Sequence, residues 1–407
     1  MNKLVRNLFI FILIVIFIIA FSSSYLSLNI DNLAYVLAIG IDKYDDNNLK
    51  VSFEFSNTSQ ATESGTTEKT PTIIDSVTAP SLSTAINLMN SYMGKELNMS
   101  HCKVIIFSEE LASEGISDEI YTLINDTQVR PTANIIISKC SAKYYIEKTS
   151  PELENLISKY YETFTNSSQY TGFKSDATIG DFFNSLICKD CEPCAMLGEL
   201  TTENTTNQEG TSYQDNYNAK SNETSIQGEN GSESIGIAVF KNDKLSGELT
   251  ALETISFLSV KNDIDRFLVS IPDPENANNY IDIYLTPAGS TSIDVDTSTS
   301  SPYIKVKAQF TGRIYSMTNN AKYLNTDILN DISESCSKYL ELVFSNYLYK
   351  TAKKYESDIN GFGKYALNNF FTTEDFNNYN WSKNYKDAFF EVKVNSSVKS
   401  GMLITET

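Results

Sequence analysis

The sequence predicts a multi-domain protein of mixed α/β and α+β class, with an N-terminal α/β region and a C-terminal α+β domain built on one long helix. Three observations carry this expectation. Short apolar runs alternate with helical patterns through the first half. Several strand-like segments precede a single long helix in the second half. Between them, Thr201 to Ser234 has almost no aliphatic residues and is dense in Asn, Gln, Glu, Ser, Thr and Gly. Such a stretch buries too little apolar area to offset its ordering entropy, so it reads as a linker or loop.

The elements follow in order. Leu33 to Asp42 is nearly all apolar and reads as a buried strand; Leu49 to Phe55 alternates and pairs with it through the turn Asp45 to Asn48. Asn57 to Thr70 is polar, and a third strand is expected over Thr72 to Thr78. Ser81 caps a helix in which Leu82, Ile86, Met89 and Met93 recur at helical spacing. Lys103 to Phe107 and Ala133 to Ser138 are short apolar strands expected near the centre of a sheet. Ser108 caps a helix whose first residues, Glu109 and Glu110, suit the positive end of the helix dipole. Ile116 to Asn125 continues helically, Ser141 opens a short helix, and Pro151 begins another through Phe164.

Beyond the polar stretch, Ile235–Phe240 and Leu245–Leu249 flank a hairpin turn, and Leu252 to Val260 reads as helix. Strands are expected at Phe267–Ile271, Tyr280–Thr286, Ser292–Val295 and Tyr303–Gly312. The longest helix is expected over Asn325 to Asp358. Ile328, Ile332, Cys336, Val343 and Tyr347 form its apolar stripe, Leu340 lies beside it, and Gly361 and Gly363 stop it. Phe389 to Ile404 closes the chain as an alternating strand. The resulting division is residues 1–28 as signal or anchor, 29–200 as the N-terminal domain, 201–234 as linker or loop, and 235–407 as the C-terminal domain.

The N-terminus sets the compartment. Lys3 and Arg6 precede an unbroken apolar run from Leu8 to Phe21, the pattern of an export signal whose positive end stays in the cytoplasm. The run alone is short for a bilayer, which needs about 20 residues; the uncharged extension Ser22 to Leu28 brings it to spanning length. It is cleaved near Ala20-Phe21-Ser22 or kept as a single anchor helix. A lipid on a cysteine just after it is excluded, because the first cysteine is Cys102. A net charge of -19 argues against nucleic acid and anionic lipid surfaces as partners.

Few residues invite chemistry. Cys188-Lys-Asp-Cys191-Glu-Pro-Cys194 has the spacing of the first three ligands of a ferredoxin-type cluster, but Gly198 stands where the fourth belongs. Cys102, Cys140 or Cys336 would have to supply it. The alternatives are one disulfide with a free thiol, or reduced thiols without metal. His101, the single histidine, reads as structural beside its strand. Glu109 and Glu110 diverge by about 100° on a helix, so they do not face a common substrate. Tyr144-Tyr145 and Tyr160-Tyr161 have a ligand-stacking alternative, which tyrosine-rich composition weakens. No Gly-x-Ser-x-Gly elbow, Walker loop, His-Glu-x-x-His or dinucleotide fingerprint is present. No catalytic, cofactor-binding or metal residue is therefore assigned.

Five segments in order resemble the Ger(x)C family of spore germination proteins, the C subunits of nutrient germinant receptors. They are Asn32-Leu-Ala-Tyr-Val-Leu-Ala-Ile-Gly-Ile-Asp42, the run Ser100 to Gly115 containing Ser108-Glu-Glu-Leu-Ala112, and Asp126 to Ile137 with Arg130. Gly236 to Thr250 follows, then Asp358-Ile-Asn-Gly-Phe-Gly363 with the closing strand to Ile404. The resemblance covers about residues 29–407. It implies a non-enzymatic subunit at the spore inner membrane, facing outward, with integral-membrane A and B partner subunits and a small nutrient sensed by the complex. One departure stands out. The family usually carries a lipidated cysteine followed by Trp-Asp in this region, whereas Ser24 falls at that place here, and a hydroxyl makes no thioether. An uncleaved N-terminal helix is then the expected membrane hold. The readings from other classes are a secreted substrate-binding or envelope-scaffold protein, and a thiol or metal enzyme using Cys188, Cys191 and Cys194.

Overall fold

The computed structural model describes residues 3–23, 32–56, 72–201, 219–317 (except 222, 225, 227, 275, 277 and 278) and 326–399. The polar segment Asn57–Thr70, Ser24, most of the stretch 201–234 and the end of the closing strand lie outside the described residues.

The first sheet has parallel strands at its centre and antiparallel strands at both sides, in the order β3-β2-β1-β5-β6-β7-β8-β9. The strands are β1 (Leu33–Asp45), β2 (Asn48–Ser56), β3 (Thr72–Ala79), β4 (Glu96–Asn98), β5 (Val104–Ser108), β6 (Asn134–Ser138), β7 (Cys194–Leu200), β8 (Ser232–Lys241) and β9 (Lys244–Leu249). β1, β5, β6 and β7 run parallel, and short β4 adds to β1. Every residue of β5 is buried, as expected of a strand covered by helices on both faces. One face carries the helices Leu82–Met93, Glu109–Glu114, Ser117–Asn125 and Ile179–Leu186; the other carries Ala142–Lys148 and Ile157–Thr163. The serines expected as caps do cap: Ser81, Ser108 and Ser141 accept from the amides of Thr84, Leu111 and Tyr144.

The helix expected from Pro151 starts only at Ile157. The amides of Ser150 and Glu152 bond instead to the backbone and side-chain oxygens of Asn230, which holds the preceding turn out of helical form.

The hairpin β8–β9 does not belong to a separate sheet. β8 pairs antiparallel with β7, so the first sheet continues across the polar stretch. Its alternating residues face two cores. Ala238 and Phe240 point into the N-terminal core, and Ile237 and Val239 into the C-terminal one. A strand with period 2 can serve as a wall between two interiors in this way.

The second sheet contains β10 (Phe267–Pro272), β11 (Tyr280–Pro287), β12 (Ser292–Asp296), β13 (Tyr303–Met317) and β14 (Phe389–Lys399). β12 pairs with Tyr303–Lys307 and β11 with residues 310–317 of β13, while β14 pairs in parallel along Tyr303–Arg313. β14 therefore occupies the edge of β13 opposite both. The long helix Thr326–Tyr349 packs across this sheet and buries Ile332, Cys336, Leu340, Phe344, Tyr347 and Leu348. Leu340 and Phe344 are in the buried stripe, and Val343 is only partly buried. The helix also finishes the outer edge of β14. Side-chain oxygens of Tyr349, Glu341, Ser337 and Ser333 accept from the amides of Phe390, Val394, Ser396 and Val398. That protects an edge otherwise open to pairing with another chain.

Gly361 and Gly363 do not stop the long helix. It passes into a wider π turn, Lys350–Lys354, and the chain leaves at Glu356 with φ +50. The glycines instead open the short helix Phe362–Ala366.

The N-terminal helix Lys3–Ser23 is 21 residues long, with side chains described as far as Phe17. Every one from Leu8 to Phe17 is apolar and exposed. Among the described residues, no helix is long and apolar enough to cross a membrane.

Candidate functional site

The chemistry-bearing residues singled out in the sequence fall in separate places. His101 is exposed and lies edge-on to Tyr35, ring centroids 5.2 Å apart. Glu109 and Glu110 occupy the first turn of their helix. Tyr145 and Tyr161 are buried beneath the first sheet, and Tyr161 donates from its hydroxyl to Glu54, 3.1 Å away. Glu54 is itself buried, which pushes its carboxyl up to about 7 against the bonds from Thr72 and Tyr161.

The cysteine triplet is divided. Cys188 and Cys191 form a disulfide, while Cys194 is a free thiol at the start of β7. Among the described residues, Cys188, Asp190 and Cys191 are the group close enough to share a metal ion, their ligand atoms lying within 4.8 Å. With the two sulfurs bonded to each other, neither is a thiolate ligand. Burial raises the Cys102 thiol to about 12 and holds Cys140, Cys194 and Cys336 at about 11. These thiols stay protonated near neutral pH, the opposite of an activated nucleophile.

The disulfide loop is instead one side of a junction between the halves. Glu192 places one carboxylate oxygen 2.6 Å from the amide of Asn242 and the other 3.0 Å from Lys241 Nζ. Lys241 Nζ also donates to the Glu356 carbonyl at 2.6 Å and to Ser382 Oγ at 2.8 Å. An ammonium has three donors, and all three are used here. Lys241 stands at the end of β8, so the shared strand, the disulfide loop and the segment after the long helix meet at one cation.

Asp358 completes the junction from the C-terminal side. Its carboxylate accepts from the amides of Phe362 and Gly363 at 3.0 Å each and from Trp381 Nε1 at 2.9 Å. Burial pushes it up to about 6, against the pull of those donors. Its carbonyl accepts from the Glu192 amide, 3.0 Å away. Gly363 has to be glycine, since a Cβ there would sit 2.4 Å from the Asp190 carbonyl oxygen. Gly361 adopts φ +71, which an L side chain rarely takes. The segment Asp358–Gly363 is thus a docking turn. Ser357 Oγ to the Phe240 carbonyl, at 2.5 Å, and Tyr355 OH to the Glu248 carbonyl, at 2.9 Å, extend the contact along β8–β9.

The N-terminal segment ending at Asp42 has a similar role. Asp42 is buried and accepts from the amides of Ala142 and Lys143 at 2.6 and 3.1 Å, capping a helix far along the chain. Burial raises its carboxyl, and the two amides oppose the rise. Sequence reasoning missed Glu192, Lys241 and Trp381. Each is a common residue type whose partner lies far away in sequence, and no local pattern marks it.

This arrangement positions and holds. Lys241 uses its three donors on Glu192, the Glu356 carbonyl and Ser382, and the Asp358 carboxylate accepts from two backbone amides and an indole. Comparison with known proteins agrees in extent with this two-part architecture. A family model for the spore germination protein N-terminal domain matches residues 27–201, and one described as spore germination B3/GerAC-like, C-terminal, matches residues 235–401. Spore germination protein KC of Bacillus subtilis (strain 168) is 22% identical over 371 residues, covering 88% of this chain and 87% of that protein. The crystal structure of the GerBC protein aligns with a TM-score of 0.48 at 15% identity, covering 88% of this chain and 96% of that one.

Proposed function

Because the chain belongs to the GerAC-like spore germination family over both of its domains, we propose that it is the non-enzymatic C subunit of a nutrient germinant receptor. It stands at the spore inner membrane, facing outward, beside integral-membrane A and B subunits. The observation that carries this reading is the pair of family domains in order, 27–201 and 235–401. We take the boundary between them to lie within 201–234; the first match ends at residue 201 and the second begins at 235.

The N-terminal helix is the membrane hold in this reading. Its exposed apolar face from Leu8 to Phe17 is a surface that water does not favour, and Lys3 and Arg6 precede it on the cytoplasmic side. Ser24 offers no thioether for a lipid. The role is assembly and conformational coupling, not bond chemistry, in keeping with thiols held protonated and with Lys241 and Asp358 engaged by hydrogen bonds within the chain.

The test is membrane fractionation and affinity capture from detergent-solubilised spores. The full chain is expected to resist extraction by high salt and to co-purify with permease-like integral proteins. Recovery as a soluble protein with a mature N-terminus near Ser23 contradicts the anchor. Capture without any integral-membrane partner contradicts the receptor assignment.

A further inference from the structure

A second place where the halves meet is open. A cleft of about 500 Å3 lies between the helical segment 160–174 and the beginning of β8. Its size falls in the range of about 300–1,000 Å3 typical of small-molecule sites, which favour such junctions. Backbone bonds beside it tie its two flanking elements to the C-terminal half. The Gly236 amide donates to the Phe173 carbonyl at 2.7 Å, and the amides of Asp265 and Arg266 donate to the Gln169 carbonyl at 2.9 and 3.1 Å. Tyr160, Phe164, Phe173 and Ile235 give it apolar walls, and Ser232 lends a polar edge.

Lys174 also lines this cleft. Its Nζ lies 4.9 Å from the centroid of the Phe164 ring, and among the described residues no carboxylate pairs with it. Desolvation alone lowers it to about 8. The contrast with Lys241, whose three donors are all used, is direct. A partly desolvated ammonium facing a cavity recovers its lost hydration when an anion reaches it, through a charge-assisted hydrogen bond of about 2.7–2.9 Å. The other titratable groups of the cleft are Glu154, Glu233, Tyr160 and Tyr170. Glu233 is engaged by Thr224 Oγ1 at 2.6 Å, and burial raises the Tyr160 hydroxyl.

We propose that this cleft binds a small organic carboxylate, its carboxylate on Lys174 and its apolar body against Phe164, Phe173 and Tyr160. The proposal goes beyond the receptor reading and does not depend on it, because it concerns this chain alone.

Calorimetric titration of the full chain in detergent with phenylacetate, and with phenylacetamide as its uncharged counterpart, tests it. Phenylacetate is expected to bind at pH 7 with a dissociation constant below about 10 mM. Phenylacetamide and the Lys174→Met variant are each expected to lose tenfold or more. Affinity is also expected to fall as pH rises through about 8, as Lys174 gives up its proton. The variant keeps the apolar stem and removes an unpaired cation, so its thermal midpoint should equal or exceed that of the parent. That midpoint separates lost binding from lost folding. Equal binding of acid and amide, unchanged binding by a folded Lys174→Met, or no saturation by phenylacetate overturns the proposal.

Discussion

The two places where the halves meet treat charge in opposite ways. At the closed junction Asp358 and Lys241 each have their partners: three donors reach the carboxylate and three acceptors surround the ammonium. Around Lys174 the ammonium has an aromatic ring and a cavity. Buried charge is retained at a cost, and mutual pairing offsets that cost only when geometry is complete. The closed junction therefore holds the chain's own segments together, and the open one is shaped for something supplied from outside.

The comparison is broken most severely at the closed junction. Asp358→Ala leaves the amides of Phe362 and Gly363 and the indole of Trp381 without their acceptor. A loss of about 3–5 kcal/mol is expected, measured by urea denaturation of both the variant and the parent. A loss below about 1 kcal/mol means the junction is not what joins the halves.

A smaller effect comes from pH. Glu54 titrates near 7 in the folded chain and near 4.5 as an ordinary carboxyl, so its ionised form is disfavoured by folding. That cost is fully present above pH 7 and is relieved as pH falls from 7 towards 4.5. Asp358, at about 6 against 3.8, acts in the same direction at lower pH. Stability is expected to rise on the order of 2 kcal/mol between pH 8 and pH 5 from Glu54, and Glu54→Gln should flatten that rise. A parent whose stability falls over this interval, with Glu54→Gln falling alike, contradicts the assignment.

Smaller still is the disulfide. It closes a loop with a sequence separation of 3, and short loops gain little from closure. Replacing Cys188 and Cys191 by Ser is expected to cost at most about 2 kcal/mol, read from chemical denaturation. A greater loss would move the disulfide loop from the margin of the junction to its centre.

Limited proteolysis sharpens the same contrast at no cost in stability. Cleavage is expected first within 201–234, giving fragments near 29–200 and 235–407 that stay together under native conditions. β7 and β8 lie on opposite sides of that cut and remain hydrogen bonded. Fragments that separate on a sizing column show the shared strand does not couple the halves.

The sequence reveals strands and caps better than junctions. β1, β5 and β6 are legible because continuous apolar runs followed by capping residues leave few alternatives, and Ser81, Ser108 and Ser141 behave as local chemistry dictates. β7 and the helix Ile179–Leu186 pass unnoticed: Cys194–Leu200 contains Met and Gly, and its strand form comes from lying between β6 and β8. The continuation of the first sheet through β8 is hidden for the same reason, since pairing across an intervening polar stretch leaves no local trace. The long helix is visible, but its end is decided by a left-handed Glu356. Lys241 and Lys174 look alike in sequence. Only the placement of Glu192, Ser382 and Glu356 around one, and their absence around the other, separates a clamp from an open cation.

The central claim is that this chain serves a germinant receptor without chemistry of its own. The most direct test is nutrient-triggered germination of spores lacking the protein, supplied in turn with the parent chain and with the Cys188→Ser, Cys191→Ser, Cys194→Ser triple variant. The account predicts that spores form normally without the protein and fail to respond to nutrient, and that the parent and the triple variant both restore the response at normal abundance. A normal nutrient response without the protein, in a strain with no second receptor of overlapping specificity, would contradict the receptor role. Loss of response in the triple variant at normal abundance would contradict the absence of thiol or metal chemistry.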